Sequence, residues 1–342
     1  MNLGKAVELI AWILSLIVAV LLILALSTIM YQHKPELFYS KVVEVGQWQP
    51  NNIEGDLPEG RKGKLIKFGY LLTSESAKWM GPMVKNPDMR FSGNNLACKN
   101  CHLDVGTRPG SASWIGVMDR FPQFRGRENK IGTIEERVNG CMERSMNGRN
   151  LPVESSQMKA IVAYMEWLGE DMPKEREKEF KGFAKIQMPV IAASPVLGKA
   201  VYISECQVCH GENGQGAWLA DSTKGYLYPP LWGKDTYNHG AGMHRVLTAA
   251  QFIKGNMPWG QATIDNPKLT DEESYHVAAY INSFERPLKE NADQDFPDRK
   301  LKPVSTPYGP WDDPFSPEAH KYGPFKPMVE FYQGEYSIIK TK

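Results

Sequence analysis

The chain has 342 residues, enough for one large domain or two of ordinary size. Hydrophobic residues make up 42% and charged residues 23%, which excludes a chain disordered throughout and a collagen-like repeat. The net charge of +1 argues against nucleic acid as a partner. The five cysteines are too few for a disulfide-framed fold, so their positions matter more than their number.

The N-terminus holds a run of uncharged residues, from Leu9 to Met30. As a helix this run would span about 33 Å, which matches a membrane hydrocarbon core of about 30 Å. A cleaved signal peptide is the competing interpretation, but its apolar part is usually only about 7–15 residues long. We therefore predict an uncleaved transmembrane anchor over residues 1–31. Both interpretations export the rest of the chain.

Four of the five cysteines lie in two copies of the pattern C-x-x-C-H, namely Cys98-Lys-Asn-Cys101-His102 and Cys206-Gln-Val-Cys209-His210. This pattern is typical of c-type haem attachment, in which the thiols bond to the haem and the histidine ligates its iron. A zinc knuckle is the alternative, but it needs further Cys/His pairs nearby, and the sequence has none within 20 residues of either motif. The sequence therefore predicts two covalently bound haem c groups.

The closing segments that follow the two motifs repeat along the chain with an offset of 116 residues. In the second half a capping box, Thr270 to Glu273, begins a closing helix with one apolar face. The apolar positions of the two closing helices are Ile161, Tyr164, Met165 and Leu168, and Val277, Tyr280, Ile281 and Phe284. The order of helix, haem motif, loop and closing helix resembles the small all-helical cytochrome c fold, present twice.

The fold class predicted is therefore all-α, with two tandem cytochrome c-like domains, an N-terminal transmembrane helix and an extended C-terminal strap. Charge-rich, Pro-broken sequence indicates a solvated linker between the domains. After Pro287 prolines recur up to Pro327 without a helical or alternating period, yet the many aromatics there argue against disorder. We predict a strap packed across both domains. The boundaries are 32–172 for the first domain (catalytic haem), 173–193 for the linker, 194–286 for the second domain (electron-transfer haem) and 287–342 for the Pro-rich tail.

A six-coordinate haem iron needs a second axial ligand from farther along the chain. In the second half the candidate is Met257, in a Met-Pro loop before the closing helix. A thioether in this position raises the reduction potential. The rivals are Met243 and His244.

The position in the first half that corresponds to Met257, 116 residues earlier, is Cys141. Cys141 is the fifth cysteine, the one outside the two motifs. As an iron ligand Cys141 would be a thiolate, which lowers the potential of that haem. The alternative is a buried, inert thiol at this position, with Met142 or Met146 as the ligand.

The neighbours of Cys141 indicate a site for an oxyanion. A capping box, Thr133 to Glu136, begins a predicted helix from Ile134 to Met146. On such a helix Arg137, Cys141 and Ser145 share one face. Further cations stand upstream: Arg125, Arg127 and Lys130. The alternative role for these arginines is to bind haem propionates.

In these residues the sequence resembles the dihaem thiosulfate dehydrogenases, a family that includes bifunctional tetrathionate reductases. The resemblance is carried by both haem motifs and by the stretches 121–127, 136–148, 256–258 and 320–325. It implies that Cys141 ligates the haem held by His102, and that Arg127, Arg137 and Ser145 form the catalytic substrate site. It implies Met257 as the sixth ligand of the second haem. Some relatives have a lysine before this methionine that competes for the iron, but here the residue is Asn256.

The resemblance also implies a reaction, 2 thiosulfate ⇌ tetrathionate + 2 electrons, at the His/Cys-ligated haem. Electrons would pass through the His/Met-ligated haem to a cytochrome or a membrane redox carrier. The catalytic part would lie in the bacterial periplasm, held at the inner membrane by the anchor. Two alternative functions are not excluded by the sequence. One is a membrane-anchored dihaem electron-transfer subunit with no substrate of its own, and the other is a dihaem peroxidase with one iron position left without a protein ligand.

Overall fold

The computed structural model describes residues 3–33 and 48–340. The chain divides into two units, residues 1–48 and 49–342. The first unit contains helix α1 (Leu3–His33), in which Glu8–Met30 has a mean hydropathy of 3.1. By length and composition this helix is apolar enough to cross a membrane, and it equally fits a signal sequence. Residues 34–47, assigned from sequence to the first haem domain, lie outside the described residues.

The second unit is mostly helical. Its helices are α2 (Gly60–Ser74), α3 (Ser76–Met80), α4 (Ile134–Arg144), α5 (Ser156–Leu168), α6 (Glu177–Phe180), α7 (Pro195–Val201), α8 (Gln207–His210), α9 (Val246–Asn256), α10 (Asp271–Ser283), α11 (Pro317–Tyr322) and α12 (Lys326–Tyr336). Its short strands are β1 (Gln123–Arg125), β2 (Lys130–Gly132), β3 (Ala217–Trp218) and β4 (Tyr226–Tyr228). They form two antiparallel pairs, β1 with β2 and β3 with β4.

Each haem-motif half is built on a crossing of two helices. Helix α2 packs against α5, and α7 packs against α10. A glycine permits the close approach in both halves: a Cβ at Gly69 would lie 2.0 Å from the carbonyl oxygen of Ala160, and one at Gly198 would lie 1.9 Å from that of His276. The two crossings are therefore the structural counterpart of the repeat seen in the sequence.

The predicted helix starts are confirmed by their caps. Thr133 Oγ1 accepts a hydrogen bond from the Glu136 backbone N–H at 3.4 Å, and Glu136 Oε2 accepts one from the Thr133 N–H at 3.0 Å. Thr270 and Glu273 make the same reciprocal pair at the start of α10. These bonds satisfy amides that have no partner within the helix. Helix α4 ends at Arg144, two residues earlier than predicted.

The C-terminal tail differs from the extended strap that its prolines predicted, because α11 and α12 are helical. Pro317 and Pro327 lie in the first turns of these helices, where a missing N–H costs nothing. Phe325 and Tyr332 are buried in the core of the second half. Earlier in the tail, the Phe296 backbone N–H donates to the Arg127 carbonyl oxygen at 2.8 Å. The tail thus contacts both halves.

The segment between the halves is partly packed, which corrects the prediction of a solvated linker. Phe180, Ala184 and Ala193 are buried. The ring of Phe183 meets that of Phe252 edge to face, with centroids 6.2 Å apart. These apolar residues are spaced too irregularly to show a helical or strand period in the sequence.

Candidate functional site

The two motif histidines are held in the same way. His102 Nδ1 lies 2.8 Å from the carbonyl oxygen of Ala112, and His210 Nδ1 lies 2.9 Å from that of Pro229. An Nδ1–H that donates to a carbonyl oxygen leaves Nε2 unprotonated and able to bind a metal. Burial also lowers the pKa of His210, which keeps its ring neutral. Both imidazoles therefore have the tautomer that iron ligation requires.

Each motif also borders a largely apolar cavity. The cavity beside the first motif has a volume of about 210 Å³ and is lined by Cys98, Cys101 and His102. The cavity beside the second motif has a volume of about 430 Å³. In the described part of the chain no group of three or more His, Cys, Asp or Glu side chains could hold a metal ion, which argues against zinc knuckles. The cavities, thiols and oriented imidazoles fit covalently attached haem.

Met257 lines the cavity of the second motif, and so does Met243. His244 is not among the lining residues, and its Nδ1 lies 2.8 Å from the carbonyl oxygen of His239. Met257 follows α9 directly and is partly buried against the second core. Its assignment as the sixth ligand remains a prediction.

Cys141 lines the cavity of the first motif together with His102, and Met142 and Met146 line it too. Arg137 Nη1 donates to Cys141 Sγ at 2.8 Å, as the shared helix face predicted. Burial raises the pKa of the Cys141 thiol, but the charge and hydrogen bond of the Arg137 guanidinium lower it. By contrast, burial raises the pKa of the attachment thiol Cys98 to about 11. The surroundings of Cys141 thus favour a thiolate, whereas those of Cys98 favour a neutral thiol.

A third cavity, of about 390 Å³, lies beside His102 and Cys141. We call it the arginine cavity, because five arginines line it: Arg125, Arg127, Arg137, Arg144 and Arg245. Glu128 is the acidic residue in its lining. Ser145 lines it as well. Such an excess of guanidinium groups suits a multiply charged oxyanion.

Ion pairs hold several arginines of the arginine cavity in place, and one of the carboxylates comes from the tail. Buried Asp295 accepts from Arg127 Nη1 at 2.5 Å and from Arg144 Nη2 at 2.7 Å. Tyr308 donates to the same carboxylate at 2.7 Å. Arg125 pairs with Glu128 at 2.8 Å. Three of the five guanidinium groups are therefore fixed by carboxylates.

The sequence-predicted substrate residues Arg127, Arg137 and Ser145 all line the arginine cavity, whereas Lys130 does not. Lys130 is largely exposed and pairs with Glu136 at 2.6 Å. The sequence analysis missed Arg245, which comes from the second half, and Asp295 from the tail. Neither has a local motif around it. The only signal nearby was the row of tail aromatics that includes Tyr308.

The fold and the paired attachment sites define the class of protein, a c-type cytochrome with two haem domains. Residues 90–173 match the family model described as SoxA/TsdA, cytochrome c domain, and residues 195–285 match the one described as Cytochrome c. Cytochrome c domains carry covalently attached haem.

Similarity to individual proteins indicates the family within this class. The chain is 37% identical to thiosulfate dehydrogenase from Psychrobacter arcticus, over 71% of this chain and 70% of that protein. It is 38% identical to thiosulfate dehydrogenase from Stutzerimonas stutzeri, over 68% and 71% respectively. The chain belongs to the thiosulfate dehydrogenase family.

A solved structure is similar as well. It is that of thiosulfate dehydrogenase (TsdBA) from Marichromatium purpuratum, with a TM-score of 0.62, 32% identity and 72% of this chain covered. This chain spans about half, 51%, of that solved chain.

Proposed function

We propose that this chain interconverts thiosulfate and tetrathionate, 2 thiosulfate ⇌ tetrathionate + 2 electrons. The observation that carries the proposal is the 2.8 Å contact between Arg137 and Cys141, at the point where the arginine cavity meets His102. It places a sulfur with a lowered pKa beside a cationic cavity of about 390 Å³. The relatives named thiosulfate dehydrogenase support this choice of sulfur oxyanion.

Two haem groups fit the described residues. One would be held by Cys98, Cys101, His102 and Cys141. The other would be held by Cys206, Cys209 and His210, with Met257 as second axial ligand. When bound, the haems supply one-electron redox chemistry, with two electrons in total to accept or to give. The cavity of the second motif is also lined by Lys99 and Cys101 of the first, so the two sites adjoin.

The physical difficulty of the reaction is charge. Two dianions 5 Å apart repel by about 3 kcal/mol at the dielectric constant of water, and by about 13 kcal/mol at an effective value of about 20. Arg127 and Arg137 offset this repulsion from fixed positions, so little reorganisation is needed when substrate arrives. Ser145 provides a neutral hydroxyl donor beside them.

Cys141 gives the sulfur chemistry. Its thiolate forms a sulfur–sulfur bond with the outer sulfur of one thiosulfate, and the two electrons released are those that the two haems, when bound, would accept. The second thiosulfate attacks this adduct, as in thiol–disulfide exchange. Tetrathionate departs and the Cys141 thiolate is regenerated. Arg137 stabilises the thiolate as attacking group and again as leaving group.

The test is an assay of the purified dihaem protein in both directions, with thiosulfate and an electron acceptor, and with tetrathionate and a donor. Turnover in at least one direction is expected. Low-temperature EPR should show a low-spin signal of a His/thiolate haem. Absence of turnover in both directions, with two His/Met signals, would instead identify an electron-transfer subunit.

We further propose that α1 anchors the protein in the bacterial inner membrane, with the haem domains in the periplasm and a cytochrome or membrane carrier as redox partner. The uncharged run from Leu9 to Met30 has 22 residues, more than the roughly 7–15 that the apolar part of a signal peptide usually has, and this length supports the anchor. Fractionation of cells, with N-terminal sequencing of the mature chain, tests this. A soluble chain that begins after residue 25 would contradict it.

A further inference from the structure

One arginine of the arginine cavity lacks a counter-charge. Arg125, Arg127 and Arg144 are paired with carboxylates, and Arg137 faces the sulfur of Cys141. Arg245 has no carboxylate oxygen within 4.0 Å in the described part of the chain. The one hydrogen bond that its side chain makes there is long, 3.5 Å from Nε to the carbonyl oxygen of Gly242. Its charge is therefore available to a ligand.

Arg245 is held in the cavity by the local fold. It precedes α9 as the N-cap residue, and its side chain folds back over Gly242. A Cβ at Gly242 would lie 3.2 Å from Arg245 Nη2, so the absence of a side chain there leaves room for the guanidinium. Burial and the charges of Arg127 and Arg137 lower the pKa of Arg245 to about 10, which leaves it cationic at neutral pH.

A second observation also indicates a ligand at this place. Thr248, one turn along α9 from Arg245, lines the arginine cavity and is almost fully buried. Its hydroxyl has no hydrogen-bond partner among the described residues. A buried polar group without a partner costs about 1–3 kcal/mol. Rotation of the Thr248 side chain towards the cavity would let its hydroxyl and the Arg245 guanidinium bind one oxyanion.

We propose that Arg245 and Thr248 bind a sulfonate group of the substrate, so that the substrate site is built from both haem domains. Arg127 and Arg137 of the first domain would hold one end of the paired anions, and Arg245 the other. The charge needed to bring two dianions together thus depends on the packing of the second domain. This inference rests on the function proposed above.

The test compares Arg245→Gln, Arg245→Lys and Thr248→Val with the native holoprotein. We expect Arg245→Gln to raise KM for thiosulfate about 10- to 100-fold, since a charge-assisted hydrogen bond is lost. The KM of Arg245→Lys should lie between the values of Arg245→Gln and the native protein, because lysine keeps the charge but not the forked geometry of the guanidinium. Thr248→Val should raise KM about 3- to 10-fold. Lys199→Gln removes an exposed charge from α7 and is the matched control.

The midpoint potentials of both haems should stay at the native values in all these variants. A KM for Arg245→Gln within twofold of native would overturn the proposal. So would a shifted haem potential with KM unchanged, because Arg245 would then pair with a haem propionate. Should Arg245→Gln fail to fold, the Lys and Val variants decide by the same criteria.

Equilibrium dialysis with radiolabelled thiosulfate separates this inference from the proposed function. If the native protein shows no turnover in either direction, the proposed function fails. Weaker thiosulfate binding by Arg245→Gln would still support Arg245 as an anion-binding residue, and binding equal to native would overturn it.

Discussion

Asp295→Asn is the substitution whose effect the structure predicts most directly. The carboxylate is buried, comes from the tail and bonds both Arg127 and Arg144. Burial raises the pKa of Asp295, but the hydrogen bond and charge of Arg144 and the charge of Arg127 lower it from 3.8 to about 2. That lowering corresponds to about 2 kcal/mol of stability.

The amide removes this contribution. Arg127 loses its carboxylate partner, and Arg144 keeps only Glu143 and Glu128, at 3.3 and 4.0 Å. Removing one partner of a buried ion pair costs about 3–5 kcal/mol. We therefore expect Asp295→Asn to lower the free energy of unfolding by about 3 kcal/mol at pH 7, measured by urea denaturation of the holoprotein. Asp312→Asn is the control, because the pair of Asp312 with Arg299 is exposed and contributes less than about 1 kcal/mol.

The pH dependence follows from the sign of the shift. Because the pKa of Asp295 is lowered in the folded protein, its contribution is present above about pH 4 and is lost as the pH falls towards 2. The difference between native and Asp295→Asn should thus be constant from pH 8 to pH 5. A difference below 1 kcal/mol at pH 7, or one that disappears between pH 8 and pH 5, would refute the reasoning.

Three further outcomes are expected. Cys141→Met should abolish most turnover and replace the His/thiolate EPR signal, while both haems stay attached; unchanged activity and spectrum would contradict the role of this sulfur. Met257→Ala should lower the reduction potential of the second haem, and Met243→Ala should not; the reverse result would exchange the two ligand assignments. Gly198→Ala should lower the free energy of unfolding by about 1–3 kcal/mol, because its Cβ would meet a backbone carbonyl of α10 at 1.9 Å. Gly334→Ala has open space around its Cβ and is the control, so equal losses in both glycine variants would refute the close-packing argument.

Features that depend on a few neighbouring residues could be predicted from the sequence. The capping box at Thr133 forms because its partner is three residues away. The contact of Arg137 with Cys141 follows from a spacing of four on one helix. The apolar stripe of α5, including Ile161 and Leu168, is buried as its period predicted. In each case the backbone of a single helix fixes the distance.

Features that join distant parts of the chain could not be predicted in this way. Asp295 meets Arg144 across 151 positions, and no pattern near either residue indicates the pair. The proline spacing of the tail even suggested an extended chain, because it does not reveal that Pro317 and Pro327 fall in helix first turns.

The sequence by itself determined where the two haem-attachment motifs lie, where the capped helices begin and which cysteine stands apart from the motif pairs. Only the tertiary structure decided that arginines from both halves line one cavity, that a tail carboxylate orients two of them, and that Arg245 meets no carboxylate among the described residues. The physical reason is that a charge is neutralised by whatever lies within a few ångströms in space. That neighbourhood is set by the packing of the helices and the path of the tail, not by position in the chain.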